Sequence, residues 1–95
     1  KFVYDKNTAL EIEEIKVPDY SWLRFKRIKE THLRTIVNTD IVGLRDQNNK
    51  FLPMPNGDTL IGTGYRLLVI GTAESIRAAK RLIYSKHKPE EYRYV

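Results

Sequence analysis

The sequence predicts an α+β domain: a small sheet of about four strands with one β-hairpin, helices packed on one face, and a C-terminal helix directly after the central strand. Three observations carry this. Arg66 to Ile70 is almost wholly apolar and ends in Gly71, the pattern of a strand buried on both faces and therefore central. Asp46-Gln47-Asn48-Asn49 gathers turn formers between two short β-type runs, which reads as a hairpin. From Thr72 onward, Ile76, Ala79, Leu82 and Ile83 recur at helical spacing.

Composition bounds the rest. Ninety-five residues make one domain with one modest core. Hydrophobic residues at 41% and charged residues at 31% fit a folded globular chain. With no cysteine there are no disulfides or thiolate metal sites, in keeping with a reducing cytosol. A net charge of +5 permits an anionic partner without requiring one. The longest apolar run, Leu67 to Ile70, is far short of the roughly 20 residues that cross a bilayer. No signal peptide is visible and the chain starts at Lys1, so a piece of a longer polypeptide is expected.

In chain order, residues 1–10 read as a linker from a preceding domain, 11–86 as the domain, and 87–95 as a frayed tail. Ala9 to Val17 alternates through Leu10, Ile12, Ile15 and Val17 with a slip at Glu13-Glu14, which predicts a strand with a bulge ended by Pro18. Asp19 or Ser21 is a candidate helix N-cap, and Trp22, Leu23 and Phe25 are expected to anchor the approach to a helix. Ile28, His32 and Ile36 at i, i+4 and i+8 predict that one side of it is buried from about Arg27 onward. Thr39 to Arg45 and Lys50 to Met54 supply the hairpin strands, and Pro53 puts the second at an edge. Gly57 is expected to serve a turn with positive φ, and Gly62 to Tyr65 makes another turn. Thr72 then caps the last helix, with Glu74 against its positive end.

Chemistry-bearing patterns are sparse. Glu11, Glu13 and Glu14 have no histidine or cysteine at ligand spacing and read as a solvated strand face, not as a metal or acid/base cluster. The Asp46 to Asn49 run lacks the glycine and closing glutamate of a calcium loop. Gly62 and Gly64 lack the third glycine and the preceding strand of a dinucleotide fingerprint. Nothing points to a cofactor, and no nucleophile, base and orienter can be placed together, so the chain does not read as an enzyme. The basic, aromatic-bearing segment Arg24 to Arg34 is the one rival signal, for a small nucleic-acid-binding domain. A solvated helix face is the plainer account of it.

With these pieces in hand, the chain from about Ile12 to Ile83 resembles the C-terminal subdomain of the RCK module, the TrkA-C domain of bacterial potassium channels and transporter subunits. Pro55 to Gly71 follows the family's closing pattern at Gly64, Leu67, Val69 and Gly71, and Leu23, Ile28, Glu30, Leu33, Arg34 and the strand Ile41 to Leu44 follow its upstream pattern. Tyr65 stands where the family usually has Asp, and Phe25 where a Gly usually precedes the helix. The resemblance implies a cytosolic regulatory domain that forms a homodimer and responds to a small effector at the dimer cleft. It would act through nucleotide-binding and pore domains of a parent protein and meet the inner membrane only through that parent. Relatives that bind cyclic di-AMP there tend to show Arg, five residues, then Asn-Ile, which marks Arg34, Asp40 and Ile41 as effector-site positions. Asp40 replaces the Asn, and a carboxylate facing a phosphodiester is electrostatically unfavourable.

Overall fold

The computed structural model describes residues 9–93, so most of the expected linker and the last two residues of the tail lie outside it. The elements are β1 (Glu11–Lys16), α1 (Ile28–Thr31), α2 (Leu33–Val37), β2 (Asp40–Arg45), β3 (Phe51–Pro53), β4 (Arg66–Gly71), α3 (Ala73–Ile83) and a 3-10 turn (Glu90–Tyr92). The sheet order is β1-β4-β2-β3 with every neighbour antiparallel. The α+β class, the four strands, the hairpin and the helix after the central strand are those predicted.

β4 is central, but it is not buried on both faces. Leu67 and Val69 are sealed beneath α3, while Leu68 and Ile70 on the opposite face are only half-buried. The helices cover one face alone, and α3 packs on β4 and β1. The slip in the β1 pattern has the same origin. β1 pairs with β4 without interruption from Glu11 opposite Gly71 to Lys16 opposite Arg66. Ile15 and Val17 enter the core, and Ile12 lies on the open face 59% exposed. The bulge is in β2, between Ile41 and Gly43.

The three glutamates of β1 do not converge. Glu13 pairs with Lys80 of α3, and Glu14 on the other face meets Arg45 at 3.2 Å and Arg66 at 3.6 Å. Among the described residues no group of His, Cys, Asp or Glu could hold a metal ion.

The helix expected from about Arg27 is broken in two. His32 adopts a left-handed conformation (φ 49°), which a non-glycine residue takes only at a cost, and the hydrogen-bond ladder stops there. Ile28, His32 and Ile36 therefore do not share one stripe. Thr31 and Leu33 are the residues that bury, and the Thr31 hydroxyl donates to the Ile28 carbonyl at 2.8 Å. Asn38, also left-handed, closes α2 with its N–H on the Arg34 carbonyl.

Neither Asp19 nor Ser21 starts a helix. Instead the Ser21 hydroxyl donates to the Ile83 carbonyl and the Trp22 Nε1–H to the Leu82 carbonyl (2.8 Å), satisfying groups that the end of α3 leaves orphaned. Trp22 and Leu23 are core residues, but Phe25 is not: it is 69% exposed with φ 66°. That φ is one a glycine adopts without strain.

Other turns follow their chemistry. Asp46 Oδ1 accepts from the Asn48 and Lys50 N–H groups, and β3 ends at Pro53 on the sheet edge. The Thr72 side chain accepts from the Ser75 N–H and caps α3. Gly64 (φ 76°), and not Gly57, is the glycine with positive φ. The tail, expected to fray, docks as far as it is described. The Tyr92 ring is 2% exposed and meets Trp22 edge-on, with centroids 4.7 Å apart, and Glu91 pairs with Arg81.

Candidate functional site

α1, the first turn of α2 and the start of β2 enclose a surface cleft of about 230 Å³. The left-handed residues His32 and Asn38 shape it. The first turns the chain between the two helices, and the second reverses it into β2 so that Asp40 returns beside Arg34. Ile28, Leu33 and Ile41 supply apolar wall, and Thr31, His32 and Thr39 supply polar atoms. The Thr39 hydroxyl is buried and has no hydrogen-bond partner among the described residues.

Arg34, Asp40 and Ile41 all line this one cleft. Arg34 Nη1 lies 2.7 Å from Asp40 Oδ2, and the two side chains are 71% and 47% exposed. The other basic lining residue, Lys29, is 2.8 Å from Asp58 of the loop before β4. The hydrogen bond and charge of Lys29, with help from Arg27, hold the Asp58 carboxyl below the usual carboxylate range. Each of the cleft's two basic side chains thus already has a carboxylate partner. Ile28, His32, Leu33 and Thr39 were not singled out as site residues from the sequence, and no local pattern marks them. The break at His32 that brings them together is invisible in a helical periodicity.

The remaining cations of the basic segment are largely engaged by the protein itself. Arg27 Nη1 donates to the Asp58 carbonyl at 2.7 Å. Arg24 donates to the Ser21 carbonyl and stands 5.6 Å over the Phe25 ring.

The model of the TrkA-C domain matches residues 12–84. The chain belongs to that family. Among solved structures it is similar to the GsuK channel bound to NAD, at 27% identity and a TM-score of 0.68 over 78% of this chain and 13% of that one. It is similar in fold to the RCK_C domain dimer of S. agalactiae BusR in complex with c-di-AMP, at 22% identity and a TM-score of 0.70, covering 76% of this chain and 93% of that one. BusR in complex with its busAB-promotor DNA matches at the same identity and TM-score over 35% of its chain. No reviewed protein sequence matches. The TrkA-C chain thus spans only a small part of the GsuK channel, and it has the RCK C-terminal fold that its motifs implied. Among the described residues of this TrkA-C domain, no helix is long and apolar enough to cross a membrane.

Proposed function

We propose that this TrkA-C domain is a ligand-responsive regulatory module of a potassium channel or transporter. It pairs with a second copy of itself on the cytoplasmic side of the membrane and holds a small effector in the cleft of Arg34, Asp40 and Ile41. Family membership supports the regulatory class, and the likeness to part of the GsuK channel supports a channel setting. The observation that carries the site is the cleft itself. Three positions marked by the family pattern, separated by a helix end and a chain reversal, line one opening with mixed polar and apolar walls and a strained backbone at His32.

The physical link from effector to pore is differential affinity. An effector that binds one arrangement of the dimer tenfold more tightly than the other shifts their equilibrium by about 1.4 kcal/mol, enough to bias an attached gate. Catalysis has no comparable support: the charged side chains of the cleft, Lys29, Arg34 and Asp40, are all held in ion pairs.

Sedimentation equilibrium of the 95-residue chain tests the pairing. A concentration-dependent dimer is expected, with amide shifts confined to α1, α2 and the start of β2 when an effector is added. A chain that stays monomeric at millimolar concentration refutes the reading. The rival nucleic-acid interface on Arg24 to Arg34 is weakened by the internal partners of Arg24, Arg27, Lys29 and Arg34. It requires binding to short duplexes that falls steeply with salt, and weak, uniform binding dismisses it.

A further inference from the structure

The cleft has an unusual charge arrangement for a site that would receive an anion. Its lining is mixed, with Ile28, Leu33 and Ile41 beside Thr31, His32 and Thr39, and both of its basic side chains are already paired with carboxylates, Lys29 with Asp58 and Arg34 with Asp40. The second pair is fixed by the backbone. Asn38 ends α2 in a left-handed conformation, Thr39 N–H bonds back to the Leu33 carbonyl, and Asp40 opens β2 opposite Ile70. Asp40 therefore arrives beside Arg34 because of how the chain reverses, and the 2.7 Å contact follows.

The geometry points to Asp40 as the specificity-determining residue of this cleft: its carboxylate keeps the Arg34 guanidinium from a phosphodiester, so the effector taken here carries no phosphate group. A phosphate oxygen seeking Arg34 would have to displace Asp40 and then sit within a few ångströms of that carboxylate. Like charges at such separations repel even where solvent raises the effective dielectric. The planar fork of a guanidinium recognises phosphate best when both of its arms are free, and here a carboxylate holds one. Rejection by a misplaced charge is a common route to selectivity between related ligands. An amide of the same shape at position 40 removes the repulsion and leaves Arg34 free. This inference rests on the cleft being an effector site.

Titration calorimetry with cyclic di-AMP, the ligand of the BusR domain dimer, tests it on the 95-residue chain. The wild type is expected to show no saturable binding, and Asp40→Asn to bind at least about tenfold more tightly, a change of about 1.4 kcal/mol. Asp40→Ser, which removes the carboxylate with a different side chain, shows the same direction of change, and adding Arg34→Ala to Asp40→Asn abolishes the gain. Equal binding by wild type and Asp40→Asn overturns the inference, and so does the absence of binding by either. Sedimentation of the same samples separates the two failures. A dimer whose affinity ignores position 40 sinks only the role of Asp40, whereas a monomer without any ligand response sinks the effector reading as well.

Discussion

Replacing Tyr92 with phenylalanine removes a buried hydroxyl that has no hydrogen-bond partner among the described residues. The ring stays, and with it the edge-on contact to Trp22 at 4.7 Å. An unpartnered hydroxyl in a protein interior costs about 1–3 kcal/mol. Tyr92→Phe is therefore expected to be neutral or to stabilise by about 1 kcal/mol. Tyr92→Ala deletes the ring as well, and the usual loss for a buried aromatic is about 3–5 kcal/mol. A value near the lower end is expected, because the Glu90–Tyr92 turn can leave without opening the sheet. Trp22 is the single tryptophan, so urea unfolding followed by its fluorescence reads the docked tail directly. Alkaline pH adds an independent arm. Burial, reinforced by the charge of Glu91, pushes the Tyr92 phenol above its ordinary value of 10.0. Above that value the unfolded chain binds fewer protons than the folded one, so stability is intact below pH 10 and falls as pH rises. The loss reaches up to about 1.4 kcal/mol per pH unit from this one group, and Tyr92→Phe lacks it. The reasoning is refuted if Tyr92→Phe costs more than about 1 kcal/mol, or if both proteins lose stability in parallel between pH 10 and 11.

Two further perturbations probe the backbone. Phe25 holds φ 66° with its ring 69% exposed, so Phe25→Gly relieves a strain of about 1–2 kcal/mol while adding unfolded-chain freedom worth about 0.5–1 kcal/mol. The melting temperature is expected to stay level or rise by a few degrees, and a fall of more than about 5 °C contradicts the outward placement of the ring. Gly43 lies under the Phe51 ring, where an added Cβ would sit 2.8 Å from the ring edge and 3.3 Å from Leu68 Cβ. Gly43→Ala is expected to cost about 1–3 kcal/mol by urea unfolding, and Gly43→Ala with Phe51→Ala to recover part of that loss.

What could be read from the sequence was what local chemistry decides. The Asp46 turn, the Thr72 cap and the α3 stripe each depend on residues within a few positions of one another, and all three stand as read. The central place of β4 was read from an apolar run taken for burial on both faces; the place is right, although only Leu67 and Val69 are sealed. Features that depend on distant partners were not. Nothing near His32 announces a left-handed residue; the surrounding packing imposes it against the helical preference of its neighbours. The slip in β1 looked like a bulge because Leu10 and Ile12 carry large apolar side chains on the open face, where an alternating pattern expects polar ones. Ser21 looked like a cap for its own segment, yet it serves a helix 62 residues later. The candidate site was half legible. Arg34, Asp40 and Ile41 follow a spacing, but Ile28 and Leu33 read only as core, and the unpartnered Thr39 hydroxyl had no signal at all.

The strand order carries a consequence for how the chain is made. β1, the first of the described elements in chain order, has no partner until β4 arrives, since Glu11 pairs with Gly71. The Ser21 and Trp22 hydrogen bonds wait longer still, for carbonyls 62 and 60 residues downstream. Among the described strand pairings, only the β2–β3 hairpin can close early, from a turn within its own few residues. Folding is therefore gated by long loop closures, which slow it relative to domains built on local contacts. A nascent chain halted before β4 leaves Ile12 and Ile15 of β1, and Val17 just after it, with nothing to pack or pair against, so synthesis must run almost to the end of α3 before the core beneath that helix is sealed.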